Sequence, residues 1–344
     1  MKKVAIIGHF AKGHKSIDGQ TIKTLNLSQA LSSTDKVEVC EIDTYGWKKH
    51  PLRLIGRIRR AVRDNDAVIM LPAHNGVRVF SSLLLILNRR RKKKLYYDIV
   101  GAWLPSMIEK KPRVAKALRK FDGLWAETQT MKSALDKQGF ENVTVVPNFK
   151  DIKPISESEL NYVDAKPLRL VIFSRISEKK GVTDAVEVLK KINANGVQCT
   201  LDIYGPVEDT YSETLDRLVS ENSTFVTYGG VIDASRSVSV LKDYHALLFP
   251  TKYYTEGIPG TIIDAYCAGL PVICSRWESC PDICIEGVTS LGYEFANSDA
   301  LLALLEKIVC DPSVLDRLRF EVLAEGSKYT AMEATKKILS LLGV

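Results

Sequence analysis

The 344-residue chain has no run of about 18 uncharged apolar residues, the length a membrane-spanning helix needs. Its first residues, Met1-Lys2-Lys3, lead straight into the strand-like Val4-Ala5-Ile6-Ile7, which is not a signal-peptide pattern. A cytoplasmic location is expected. The seven cysteines are odd in number and contain no zinc-like CxxC pair, so reduced thiols fit better than a disulfide framework. Cys280 and Cys284 have no histidine nearby and are not read as metal ligands. Gly8, Gly13 and Gly19, around the first loop, miss the GxGxxG spacing, which argues against a dinucleotide-dependent hydride transferase. No aromatic-rich recognition motif is present, so nucleic acid is not expected as a partner.

What the chain does have is enough apolar residues, 45%, for two cores, and a length that favours two domains over one. Its charge is unevenly placed: residues 1–150 hold 29 Lys and Arg against 13 Asp and Glu, and the remainder holds 19 against 28. A basic first half suits a polyanionic surface or substrate. Short apolar runs alternate with amphipathic stretches nearly throughout, the pattern of βα units and parallel sheets. Strands are expected at 4–8, 37–42, 67–71, 95–99, 123–126 and 143–146, and again at 168–173, 199–204, 225–227, 246–249 and 272–274. Helices are expected at 21–31, 52–63, 77–90, 112–120 and 130–138. The polar stretch 147–167 reads as a linker, giving an α/β protein of two Rossmann-like domains in tandem.

In such sheets ligands sit at the carboxyl ends of strands, so the loops that follow strands are where chemistry is expected. The richest is Thr255-Glu256-Gly257-Ile258-Pro259-Gly260-Thr261-Ile262-Ile263-Asp264, a Gly/Pro turn between two carboxylates that opens a short apolar helix. Free amides at a helix start suit a phosphate, and the flanking acids suit sugar hydroxyls. In Ser174-Arg175-Ile176-Ser177-Glu178-Lys179-Lys180-Gly181, Arg175 and Lys180 can converge on a diphosphate. Glycines at Tyr204-Gly205-Pro206 and Tyr228-Gly229-Gly230-Val231 permit close approach of a base or ribose, or are simple turns. Gly19 and Gln20, at the end of the first loop, can lay backbone amides against a phosphate. Two basic segments, Leu52–Arg63 and Leu83–Lys94, the latter ending in six consecutive cations, suit an anionic membrane leaflet.

In order and spacing, Arg175 with Lys180-Gly181, Gly205, Gly229-Gly230-Val231, Glu256 to Asp264, Ala268-Gly269-Leu270-Pro271-Val272 and Glu286-Gly287-Val288 resemble the GT-B family 4 retaining glycosyltransferases. Weaker echoes are Gly19-Gln20-Thr21 and Val146-Pro147-Asn148. The resemblance implies an acceptor-binding domain at 1–150, a nucleotide-sugar domain at 151–325 facing it across a cleft, and a terminal helix, 326–344, returning to the first domain. It implies that Arg175 and Lys180 neutralise the donor diphosphate, and that Glu256 holds donor-sugar hydroxyls as an organiser of a front-face transfer. Asp264 would bind ribose. Gly257, Ile258, Gly260 and Thr261 would contact sugar and phosphate, Gly230 and Val231 the base, and Gly19 and Gln20 the diphosphate.

Three departures stand out. Asp264 replaces the usual Glu, Pro259 removes one N–H from the cradle, and the loop Asp98-Ile99-Val100-Gly101-Ala102-Trp103 lacks the histidine many members carry. No histidine is therefore assigned a catalytic role; His74, on a neighbouring post-strand loop, is an acceptor-site candidate with Asn75 and Trp103, His9 and His14 are weaker candidates, and His50 and His245 are read as structural or solvated. Asp64-Asn65-Asp66 mimics a DxD metal motif but precedes a strand, so it is read as a turn. The implied enzyme is a retaining hexosyltransferase-type glycosyltransferase needing no metal or other cofactor, with UDP preferred over GDP as donor nucleotide. Its acceptor would be a glycan or lipid-linked oligosaccharide of cell-surface polysaccharide synthesis, met at the inner face of the plasma membrane. The competing readings are a GT-B nucleotide-sugar epimerase and a non-catalytic nucleotide-sugar or polyanion binder.

Overall fold

A computed structural model describes residues 1–13, 18–160 and 166–344. The chain divides into two compact units, one of residues 1–151 with 330–344 and one of residues 152–329.

In the first unit six strands, β1 (Lys2–Gly8), β2 (Val37–Asp43), β3 (Ala67–Met70), β4 (Lys94–Asp98), β5 (Gly123–Ala126) and β6 (Val143–Val145), pair in parallel in the order β2-β1-β3-β4-β5-β6. Helices cover both faces, which is why the central strands are continuous apolar runs. Alternation along each strand divides the core. Ala5, Ile7, Val68, Met70 and Tyr97 face one layer, while Val4, Ile6, Ala67, Ile69 and Tyr96 face the other. The helix Ala331–Leu342 contributes Ile338, Leu339 and Leu342 to that second layer, so the terminal segment is part of this unit.

The second unit holds β7 (Leu168–Phe173), β8 (Cys199–Tyr204), β9 (Val226–Tyr228), β10 (Ala246–Phe249), β11 (Val272–Ser275) and β12 (Ser290–Tyr293), again all parallel, in the order β12-β11-β10-β7-β8-β9. The order reverses between β7 and β10, which opens a crevice at their carboxyl ends.

The eleven expected strands are present within two residues, and β12 is additional. The unit boundary at Thr330 lies four residues beyond the expected 326, because Gly326 lies against the Tyr266 and Cys267 backbone and Tyr329 packs into the second unit's core. The stretch read as linker is ordered from Ile152 onward where described: Ile155 N–H donates to Cys267 O (2.9 Å), and Ser156 with Glu159 forms a capping box on a helical turn.

Candidate functional site

The loops after β7 and β10 flank the reversal point of the second sheet, and they are tied to each other. Lys252 Nζ bonds Glu178 (3.0 Å) and Asp184 (2.8 Å), and Lys252 N–H donates to Lys179 O (2.8 Å). Between the loops Gly181 adopts φ +72°, and a Cβ there would sit 1.9 Å from Pro250 O. Only glycine lets the two loops approach this closely. The approach brings Lys180 Nζ onto Glu256 Oε1 as an ion pair, with side chains 23% and 13% exposed. Thr251 Oγ1 donates to the same carboxylate (3.3 Å), and the Lys180 ammonium lies 5.5 Å from the Phe249 ring centroid. Two residues singled out separately in the sequence, a cation for phosphate and an acid for sugar, therefore form one charged centre. Arg175 lies on the same post-β7 loop, next to Ser174 N–H, which donates to Tyr204 O (3.0 Å).

Glu256 lies four residues before the helix Gly260–Cys267. Pro259 is its N-cap, and Pro259 O accepts from the amides of Ile262 (3.0 Å) and Ile263 (3.4 Å). The amides of Gly260 and Thr261 thus precede the helical ladder and point out of the positive end of the helix. The missing N–H of Pro259 falls outside the ladder, where its loss costs the helix nothing. Thr261 Oγ1 is buried with no hydrogen-bond partner among the described residues. Gly257 and Ile258 are buried behind the turn.

Asp264 is 2% exposed and its Oδ1 accepts from Ser237 Oγ (2.9 Å), at the start of the helix Ser237–Leu241. The glycines read as openings for a base or ribose have packing reasons of their own. A Cβ on Gly205 (φ +137°) would meet Ser174 O at 1.8 Å, and one on Gly229 would meet the Tyr204 ring at 2.1 Å. Gly205 N–H donates to Gly230 O (2.9 Å), which draws the loops after β8 and β9 together. Gly230 (φ +76°) faces open space and Val231 is exposed beside it.

In the first unit the order reverses between β1 and β3, and the loops there carry the remaining expected residues. Asp18 caps the helix Gly19–Ser32 through Thr21 N–H (2.9 Å), and His9 Nδ1 is 2.6 Å from Thr21 Oγ1. Gly19 opens that helix with none of the described residues near its Cβ position, and Gln20 Nε2 donates to Leu71 O (2.8 Å) at the end of β3. The Gln20 side chain is therefore a brace between loops through one of its amide hydrogens. His74 stacks on Trp103 at 3.8 Å between ring centroids, and Trp103 Nε1 donates to Val100 O (2.6 Å). Partial burial lowers the His74 pKa below the ordinary imidazole value. Asn75 is exposed beside it. His14 lies outside the described residues. His50 is exposed, and His245 is buried with Nδ1 accepting from Arg169 N–H (2.9 Å). Asp66 accepts from Lys3 N–H (2.9 Å) and stands before β3, as its reading as a turn implies.

Sequence reasoning missed a buried triad close by. Lys23 Nζ lies 2.8 Å from Asp98 and 2.9 Å from Glu127, at the carboxyl ends of β4 and β5, with all three side chains buried. Burial, reinforced by the Glu127 charge and opposed by Lys23, pushes the Asp98 pKa up to about 6. The signal was present as two acids ending adjacent strands, but nothing in the sequence distinguishes them from solvated ones.

Residues 157–321 match the family model for glycosyl transferases group 1. Part of the chain is 31% identical over 132 residues to a chitobiosyldiphosphodolichol beta-mannosyltransferase of Arthroderma benhamiae, covering 36% of this chain and 27% of that protein. Another part is 26% identical over 145 residues to the putative colanic acid biosynthesis glycosyltransferase WcaL of Salmonella typhimurium, covering 40% and 35%. The matches span less than half the length of these curated relatives. In fold, the whole chain is similar to Anabaena HepE solved in complex with UDP, with a TM-score of 0.78, 15% identity and full coverage of both chains.

Proposed function

We propose, for a chain whose residues 157–321 belong to the group 1 glycosyl transferases and whose two units have the GT-B fold, that it transfers a sugar from a nucleotide-sugar donor to a glycan or lipid-linked acceptor in polysaccharide synthesis. The observation that carries this reading is the Lys180–Glu256 pair at the reversal point of the second sheet, beside a helix start with free amides. UDP is preferred as the donor nucleotide because it is what HepE holds, and polysaccharide synthesis because of the likeness to WcaL.

In this reading the donor diphosphate lies over the amides of Gly260 and Thr261 and draws on the charge of Lys180 and Arg175. Asp264 is assigned to the ribose, with Oδ1 also accepting from Ser237 and further acceptor sites on its carboxylate. Transfer proceeds with retention at the front face of the sugar: the bond from the anomeric carbon to the diphosphate oxygen breaks, the bond to the acceptor oxygen forms on the same face, and the acceptor proton passes to the departing phosphate. Negative charge grows on that phosphate as the bond breaks, so fixed cations and amides stabilise the transition state more than the ground state. Glu256, released from Lys180 by the incoming diphosphate, orients sugar hydroxyls. No metal is needed in this scheme, since the cations and helix amides supply the positive field.

His74 on its Trp103 platform, with Asn75, is assigned to the acceptor, and the basic helix Pro51–Asp64 to an anionic membrane surface. That helix exposes Leu52 and Ile55 among its arginines while burying Leu54, Ile58, Ala61 and Val62, as an interfacial helix does. The test is a thermal-shift screen of nucleotide sugars. A donor at a hundredfold its Kd stabilises the protein by about 2.7 kcal/mol, and one nucleotide sugar is expected to stand out; a flat screen contradicts the proposal.

A further inference from the structure

Three cysteines far from one another in type of element meet in the second unit. Cys274 lies in β11, Cys280 opens a helical turn at Cys280–Asp282, and Cys284 follows that turn. Their sulfurs all lie within 4.8 Å of one another, and all three residues are buried. Cys284 N–H donates to Cys280 O (2.8 Å), a helical i,i+4 bond that stacks these two thiols on one side, and β11 delivers the third. This is why no CxxC spacing announced the cluster.

The distances suit a metal. Zinc bound tetrahedrally at about 2.3 Å from sulfur places its ligand sulfurs about 3.8 Å apart, and Cys274 Sγ to Cys280 Sγ is 3.8 Å. The ligand type suits a thiophilic d10 cation and disfavours magnesium or calcium, which take oxygen. The cluster also borders a cavity of about 230 Å³ whose lining includes Arg276, Ile285 and Glu286. A fourth coordination position can therefore hold water. Three thiolates on a divalent cation leave one net negative charge; Arg276 lines the same cavity, where it is ion-paired with Glu286 (2.9 Å).

We propose that Cys274, Cys280 and Cys284 bind one zinc ion as a three-thiolate site with its fourth position open to this cavity. Three thiol protons are released as the metal enters. The ion fastens β11 to the segment 276–284, and that segment supports the loop carrying Glu256. Trp277 packs edge-on against Phe249 (5.4 Å between centroids), and Glu278 N–H donates to Tyr254 O (3.2 Å). Metal occupancy would thus stiffen the floor beneath the Lys180–Glu256 centre without touching substrate.

Cobalt(II) titration of the reduced, chelator-stripped full chain tests the site without any variant. The expected result is saturation at one cobalt per chain, with thiolate-to-cobalt charge-transfer bands and the intense visible bands of tetrahedral coordination, both abolished by zinc. Cys280→Ser should weaken binding at least about tenfold, whereas Cys310→Ser, at an exposed cysteine, should leave it unchanged. Absence of thiolate bands in the unaltered protein, or bands undiminished by Cys280→Ser in a protein whose circular dichroism is native, would overturn the proposal. So would a Cys274–Cys280 disulfide that persists under the reducing conditions of the titration.

Discussion

Lys180 and Glu256 neutralise each other across two loops that the chain separates by 76 positions. Neither charge is fully buried, so the pair sits where a ligand can compete for both members. Lys180→Ala should weaken donor-nucleotide binding by about ten- to a hundredfold, the worth of a charged hydrogen bond of roughly 1.5–3 kcal/mol. Glu256→Gln removes the pair's negative member and keeps its shape. It should leave nucleoside diphosphate affinity unchanged or higher while lowering turnover by about a hundredfold or more. Isothermal titration beside a turnover assay separates the two effects; equal losses of nucleotide affinity in both variants would show that the pair acts only as a strut.

Gly181→Ala should destabilise the protein by roughly 2–4 kcal/mol, combining left-handed strain with displacement of the Pro250 carbonyl. Gly19→Ala, with none of the described residues within 4 Å of the added carbon, should stay within about 0.5 kcal/mol of the parent. Urea unfolding of the two variants checks this. A neutral Gly181→Ala would mean that the two loops are not held as closely as described.

The fold was legible because both sheets are buried on two faces, which turns their strands into uninterrupted apolar runs. β12 escaped because Ser290-Leu291-Gly292-Tyr293 has no such run and gains its place by pairing with β11. In the candidate site, the placement of Glu256, Lys180 and the helix start on loops after strands was legible, because each follows an apolar run. The site was not legible in Gly205 and Gly229, because a glycine needed for packing and one needed for a ligand look the same in sequence. Asp264 reads as a free acid until Ser237 is seen beside it. The Lys23 triad depends on which strands become neighbours, and the three cysteines on how the segment after β11 turns back on that strand, neither of which local pattern encodes.

Stability should depend on pH through Asp98. Its pKa of about 6 in the fold lies above the ordinary carboxyl value of 3.8, so the native state holds a proton that the unfolded chain has released. Stability therefore falls as pH rises through the window from about 4 to 6, and the fall between pH 5 and pH 7.5 should be about 1 kcal/mol. Asp98→Asn should flatten that part of the profile. Urea midpoints across this range at constant ionic strength are the check, and an unchanged slope in the variant would assign the pH dependence elsewhere.

The arginine-rich helix Pro51–Asp64 should bring the protein to anionic membranes. Reversing Arg53, Arg59, Arg60 and Arg63 to Glu should abolish sedimentation with phosphatidylserine-containing vesicles at low salt, at about 1 kcal/mol for each cation near the surface. Fold and donor binding should survive, since all four side chains are exposed. Equal partitioning of the unaltered protein to neutral and anionic vesicles would remove the membrane assignment.

The most direct measurement is release of nucleoside diphosphate from the nucleotide sugar that the thermal-shift screen selects, comparing the unaltered chain with Glu256→Ala. Steady release that collapses in the variant, while the variant still binds the donor nucleotide, is the outcome expected of a glycosyltransferase organised by Glu256. Donor binding without release, or release undiminished by Glu256→Ala, would contradict it.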